Sequence, residues 1–251
     1  MSRTILVTGG GTGIGRAIAA RFTAAGDAVV VTGRRPEPLR DAAAALGDTA
    51  RAITCDHTDP YQVASLADAL DKVDVLVNNA GGNTDFDADA PDNLAAPAGS
   101  APESLRTFAR TWRANLDANL LSAALTTEAV RDRLATDGSV VHIGSIAADK
   151  GAGAYGAAKA GLASWNIDLA RELGPRGITC NVVSAGYIEE TEFFRDRLSQ
   201  QRRERLIADT ATKRPGTVAD IAETVFFLAT PGARHITGQV LNVNGGAFAS
   251  R

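Results

Sequence analysis

The chain has 251 residues, 22% of them charged and 45% hydrophobic, with a formal net charge of −3. That is the composition of an ordinary globular chain, and it gives no electrostatic pull toward nucleic acid or an acidic membrane surface. Its two cysteines, Cys55 and Cys180, sit in apolar runs and read as buried reduced thiols. Ile5-Leu6-Val7 is a short continuous apolar run, as expected of a parallel strand covered on both faces. Ile14, Ile18, Phe22 and Ala25 then recur at helical spacing, and Gly26 stops that helix. Val29–Val31 is the second strand, and an Ala-rich helix runs from Leu39 to Leu46, ending at Gly47. Ala52–Cys55 is the third strand, Tyr61–Leu70 a helix and Val75–Val77 the fourth strand. Ser104–Leu134 reads mostly as long helix, Val140–Ile143 as the fifth strand and Tyr155–Leu173 as helix, closed by Gly174-Pro175. Ile178–Val183 is the sixth strand. Thr217 and Asp220 form a capping box for a helix carrying Ile221, Val225 and Leu228, and Val240–Val243 is the seventh strand.

Strand and helix alternate throughout. The expected fold is α/β: residues 1–251 as a single Rossmann-type domain, a doubly wound sheet of about seven parallel strands with helices on both faces. The stretch Gly82–Pro102, with four Asp and three Pro, reads as an acidic loop that lids or walls a pocket. No apolar run is long enough to span a bilayer, and no signal peptide is read ahead of the first strand, so a cytoplasmic address is expected.

Two features carry chemistry. Between the first strand and the first helix lies Thr8-Gly9-Gly10-Gly11-Thr12-Gly13-Ile14-Gly15. The literal GxGxxG pattern is absent, but the physics is the same. Glycine permits the tight turn and lets backbone N–H groups approach a pyrophosphate, while the helix N-terminus favours negative charge. Gly9, Gly11, Thr12, Gly13, Ile14 and Gly15 are therefore the expected phosphate cradle. Strand two ends in Gly33-Arg34-Arg35, with two guanidiniums where an NAD site usually carries a carboxylate. Arg binds phosphate through a planar fork, so Arg34, joined by Arg35, is expected to hold the 2′-phosphate of NADP(H) in preference to NAD(H). Asp56, with His57 beside it, follows strand three, where a carboxylate accepts from the adenine amino group. Asn79, Ala80 and Gly81 close strand four, as suits a backbone pressed against the cofactor. The second feature is Tyr155 and Lys159, one turn apart on one helix face. A phenol titrates near pH ~10, and a cation beside it lowers that value toward useful acid–base exchange.

With these residues in hand, the chain closely resembles the short-chain dehydrogenase/reductase family from end to end. The likeness is carried by the Gly turn, Asn78-Asn79-Ala80-Gly81, Asn115, Ser145, Tyr155-x-x-x-Lys159 and Gly245-Gly246. Tyr155–Gly161 and Gly177–Val183 look most like the 3-oxoacyl-carrier-protein reductase type. The resemblance implies that Tyr155 supplies the proton and that Lys159 binds the nicotinamide ribose. Ser145 would hold the substrate oxygen, and Asn115 a water linking Lys159 to solvent. It also implies that the segment with Gly186 and Ile188 faces the nicotinamide. Relatives commonly associate as homotetramers, with a dimer as the next expectation. Trp112, Leu116, Leu120, Trp165 and Leu169 are candidates for the contact or for the core. Two departures lie near the substrate: Ser145 and Tyr155 are only ten positions apart, and Ala185-Gly186 stands where Pro-Gly is common.

The expected activity is thus an NADP(H)-dependent interconversion of a carbonyl and an alcohol, on a 3-oxoacyl thioester or a related small ketone. The alternatives are an NAD-dependent alcohol dehydrogenase and a non-catalytic NADP(H)-binding sensor. His57, His142 and His235 lack metal-ligand spacing, and no catalytic metal is expected. The basic stretch Arg195–Arg205 reads as a solvated helix face or as a lid that attracts an acidic substrate.

Overall fold

The structure is a computed structural model and describes residues 2–84, 102–194 and 197–250. It opens with β1 (Thr4–Thr8), α1 (Gly13–Thr23), β2 (Ala28–Gly33), α2 (Pro36–Leu46), β3 (Ala50–Thr54), α3 (Pro60–Asp68) and β4 (Val73–Asn78). After the acidic stretch come α4 (Glu103–Leu116), a π-turn (Asp117–Leu121) and α5 (Ser122–Ala129). Then follow β5 (Leu134–Ser145), α6 (Ala147–Lys150), α7 (Gly153–Leu173), β6 (Thr179–Ala185), α8 (Gln200–Ala208), α9 (Val218–Leu228) and β7 (Val240–Val243). The strands form one parallel sheet in the order β3-β2-β1-β4-β5-β6-β7. This is the doubly wound Rossmann arrangement, in which ligands sit outside the strand C-termini where the order reverses. Here that point lies between β1 and β4, at Thr8 and Asn78–Asn79.

The apolar strand runs explain the two cores. Ile5, Val7, Val29, Val31, Val141 and Ile143 turn to one face, against Ile18 and Phe22 of α1 and Ile221 and Val225 of α9. Leu6, Val30, Leu76, Val140 and Cys180 turn to the other, against Val63 and Leu66 of α3 and Leu169 and Leu173 of α7. A strand alternates its side chains between faces, so runs that are apolar at every position require helices on both. Both cysteines are buried and free. The stops read from sequence hold where glycine takes a left-handed conformation: Gly26 at φ +86° and Gly47 at φ +88°. The Thr217–Asp220 capping box forms as expected, and Arg214 adds an ion pair to Asp220. Among the described residues, no helix is long and apolar enough to cross a membrane.

The long helix expected over Ser104–Leu134 is the main correction. It is broken by the π-turn, ends at Ala129, and Leu134 already belongs to β5. No Gly or Pro marks the break. Instead the hydroxyls of Ser122, Thr126 and Thr127 bond carbonyls four residues back, a habit that bends helices. Leu134 pairs with Val73, then the register slips so that Val75 meets Ser139. The slip accommodates Asp137 at φ +58° and a Gly138 whose Cβ would lie 2.9 Å from Asp74 O. A second unread element is the one-turn α6, which fills the short Ser145–Tyr155 interval. Most of Gly82–Pro102 lies outside the described residues, as do Arg195 and Asp196.

Candidate active site

The Gly turn is built by contacts between β1 and β4. Thr8 Oγ1 accepts from the backbone N–H groups of Asn79 (3.0 Å) and Ala80 (2.9 Å). Asn79 Nδ2 in turn donates to the carbonyls of Thr8 (2.9 Å) and Gly9 (3.0 Å). These bonds consume polar groups of the turn's wall and leave the N–H groups at the start of α1 facing outward. Gly15 is irreplaceable for a steric reason: a Cβ there would lie 2.2 Å from Gly9 O. Gly9 carries φ +63° and its Cβ would lie 2.9 Å from Asn79 Nδ2. Gly11 backs on Pro38, and Gly13 faces Thr191. The glycines keep this turn free of side chains of their own, which suits the approach of a phosphate to backbone N–H groups.

Arg34 is exposed and has no ion-pair partner among the described residues. Arg35 is committed: its guanidinium meets Glu192 at 2.7 Å. Asp56 is half-buried, and its Oδ1 accepts from both the backbone and the hydroxyl of Thr58. The His57 ring is spent inside the protein, between Thr32 Oγ1 and Thr126 Oγ1, each at 2.8 Å. Only its backbone remains to offer a cofactor. Gly81 is pressed against Asn119, where a Cβ would lie 2.6 Å from Oδ1. Gly186 packs on Asn244 and donates to Val243 O. Ile188 places its side chain in the core, and its backbone bridges to Gly216.

The chemical residues converge at the C-terminal ends of the strands. Ser145 ends β5, and Tyr155 and Lys159 stand one turn apart near the start of α7. Both Tyr155 and Lys159 are buried. Lys159 Nζ donates to Ile143 O at 2.8 Å and lies 5.9 Å from the Tyr155 ring centre. Burial pushes the Tyr155 phenol up to about 12, with a hydrogen bond from Ser145 pulling the other way. Burial also lowers Lys159 to about 8. In this arrangement the Lys159 ammonium serves the β5 carbonyl, one helical turn from the phenol. The ring of Phe193 packs on Tyr155 at 5.6 Å and contributes to its burial.

Asn115 is buried on α4, just before the π-turn. Its Nδ2 donates to Thr111 O and its Oδ1 accepts from Thr84 N. Asn119, its competitor in sequence, clamps Gly82 at both backbone groups and donates to Asn115 O. The pair thus fixes the exit of β4, a role that no residue spacing announced. π-turns are common where such side chains gather at a site. Of the proposed contact residues, Leu169 is core and Trp165 packs on His142. Leu105, Phe108 and Ile167 are the exposed apolar residues of α4 and α7. Among the described residues, no three His, Cys, Asp or Glu side chains are grouped to hold a metal.

A parallel doubly wound sheet with a glycine cradle at its switch point, facing a Ser-Tyr-Lys set, is the architecture of a nicotinamide-dependent oxidoreductase. Residues 9–247 match the family described as enoyl-(acyl carrier protein) reductase. The chain is 35% identical to the 3-oxoacyl-[acyl-carrier-protein] reductase FabG of Escherichia coli, over 97% of this chain and 96% of that one. It is 34% identical to a putative oxidoreductase of Mycobacterium tuberculosis, over 98% of each. Among solved structures, a short-chain dehydrogenase/reductase from Brucella melitensis superposes with a TM-score of 0.84 at 30% identity, covering 99% of this chain and 97% of that one. A blue fluorescent protein from a metagenomic library, solved in complex with NADPH, gives 0.80 at 34% identity over 98% of each chain. The chain belongs to the short-chain dehydrogenase/reductase family and is an oxidoreductase of that family.

Proposed function

We propose that this chain, folded as one domain over residues 1–251, is an NADP(H)-dependent carbonyl reductase acting on a 3-oxoacyl thioester or a related small ketone. The observation that carries this is the convergence of Ser145, Tyr155 and Lys159 beside the cradle at the β1–β4 switch point. The cofactor, when bound, supplies the hydride. Gly9–Gly15 receive its pyrophosphate, and Arg34 its 2′-phosphate. Asn79–Gly81 and Gly186 flank the nicotinamide end. Ser145 holds the carbonyl oxygen close to Tyr155, whose hydroxyl donates the proton to that oxygen. Lys159 binds the ribose, and Asn115 positions a water that returns the proton from solvent. The likeness to FabG supports the thioester reading, and the short Ser145–Tyr155 interval favours a compact pocket wall.

The test is cofactor oxidation by the purified protein with a short 3-oxoacyl thioester. Turnover with NADPH should exceed that with NADH. Arg34→Ala should raise the KM for NADPH about tenfold or more and leave that for NADH unchanged, since a charge-assisted hydrogen bond contributes roughly 1.5–3 kcal/mol. Equal use of both cofactors by the wild type would favour the NAD-dependent alternative. Binding without turnover on any carbonyl would favour the sensor.

The proposed assembly is a cytoplasmic homotetramer. Two separate apolar faces support it: Leu105, Phe108 and Ile167 on α4 and α7, and Phe227 with Val240 on α9 and the edge strand β7. Two self-complementary patches on one chain generate a closed four-subunit particle. Light scattering on the purified protein should give four times the 26.0 kDa chain mass; a monomer overturns the reading, and Phe227→Asp should yield dimers.

A further inference from the structure

The segment that follows β6 crosses the crevice as a strap. It is anchored where Ile188 bridges to Gly216 and is buried in the core. Glu190 then takes φ +59°, a left-handed conformation that non-glycine residues adopt only under constraint. Thr191 lies over the cradle, with its Cγ2 3.7 Å from the Cβ position of Gly13. Glu192 reaches across to the β2–α2 turn and meets Arg35 at 2.7 Å. The next residue, Phe193, lies against Tyr155. One short segment therefore touches the β2–α2 turn, the glycine turn and Tyr155.

The contact at Arg35 is the informative one. The turn offers two guanidiniums, which suit a doubly charged phosphate. One of them already has an anion, and that anion belongs to the protein. Both partners of this pair are more than half exposed, so the bridge is weak and exchangeable. We propose that Glu192 is a cofactor-selectivity residue: its carboxylate occupies Arg35 in place of the 2′-phosphate, and NADPH must displace it whereas NADH leaves the bridge intact. This rests on the NADP(H) reading above. Arg34 provides the standing attraction for the phosphate, and Glu192 taxes the second guanidinium. The tax is specific to the phosphate because NADH carries no group that competes for Arg35. Its removal would sharpen the preference for NADPH that Arg34 sets.

The test is a fluorescence titration of NADPH and NADH into the wild type, Glu192→Gln, Arg35→Ala and the double variant, with Arg34→Ala as a control. Glutamine keeps the size of Glu192 and removes its charge. An exposed ion pair is worth a few tenths to about 1 kcal/mol, so the Kd for NADPH should fall about two- to fivefold in Glu192→Gln. The Kd for NADH should stay within error. In the Arg35→Ala background the same substitution should be silent, because the competition has lost its site. An unchanged Kd for NADPH in Glu192→Gln overturns the proposal while leaving the NADP(H) reading intact. Equal tightening for both cofactors also overturns it, since that reports a loosened strap rather than a vacated guanidinium. If the wild type binds both cofactors alike and Arg34→Ala changes neither, the NADP(H) reading fails and the proposal fails with it.

Discussion

Replacing Tyr155 by Phe should cut carbonyl reduction by about 10²–10⁴-fold, the usual worth of a positioned general acid, and leave the Kd for NADPH nearly unchanged. The phenol is buried and sits well above its ordinary value, so at neutral pH it carries its proton and is ready to donate it. Phe keeps the ring, the packing on Phe193 and the start of α7, and removes only the hydroxyl. The variant therefore separates chemistry from folding. The reverse reaction gives the matching sign. Alcohol oxidation needs the phenolate, so its rate should climb as pH rises toward the phenol's pKa, while reduction stays flat through neutrality. Cofactor binding that withdraws Phe193 would rehydrate the phenol and bring that pKa down toward its usual range. Steady-state rates in both directions from pH 6 to 10, with NADPH titrations on the same samples, check this. Turnover retained in Tyr155→Phe would remove Tyr155 from the chemistry.

The parts of this protein that were legible in its sequence are those fixed by local rules. Ile5–Val7 and Val29–Val31 are apolar at every position, so they had to be strands covered on both faces. Gly15 had to be glycine because the backbone of Gly9 fills the space of its Cβ. The Tyr155–Lys159 pair was readable because helical spacing alone puts both on one face. What stayed hidden depends on distant partners. Asn115, just before the π-turn, and Asn119, within it, bond Thr84 and Gly82, residues that lie more than thirty positions away. The commitment of Arg35 depends on Glu192, at a sequence distance of 157. Lys159 points at Ile143 O because β5 ends beneath it, which no spacing on α7 announces. The backbone bridge from Ile188 to Gly216 likewise joins residues far apart in the chain, and the Ile188 side chain packs in the core. Local geometry thus made the pattern of residues readable, and tertiary pairing decides which partners each side chain finds.

Mild acid should destabilise this protein steeply, through two buried histidines outside the proposed chemistry. His57 lies between Thr32 and Thr126. The Thr126 hydroxyl spends its hydrogen on Ser122 O, so His57 Nδ1 must donate to it and Nε2 must accept from Thr32. That arrangement requires the neutral ring, and burial lowers its pKa to about 4. His142 is fully buried in β5, with Nδ1 accepting from Asn78 Nδ2 at 3.1 Å and Trp165 against its ring. Burial, with the Lys159 charge assisting, lowers it to about 3. Both folded values lie below the unfolded value of about 6.5, so below that pH the unfolded chain binds more protons. Stability from these groups is fully present above pH ~6.5 and is lost as pH falls toward 4 and then 3. Each histidine contributes about 1.4 kcal/mol per pH unit within its window, so the two together should remove about 4 kcal/mol by pH 5. Carboxylates held low by their partners, such as Asp220 beside Arg214, add to the loss only at lower pH. The window from pH 6.5 to 5 therefore isolates the histidines. Urea unfolding at half-unit steps across it should show the slope, and His57→Gln or His142→Asn should each halve it. Their effect is read from the slope and not from stability at pH 7, where the lost hydrogen bonds of either variant also count. Stability that is flat from pH 7 to 5, or a slope unchanged in both variants, would place the acid sensitivity elsewhere.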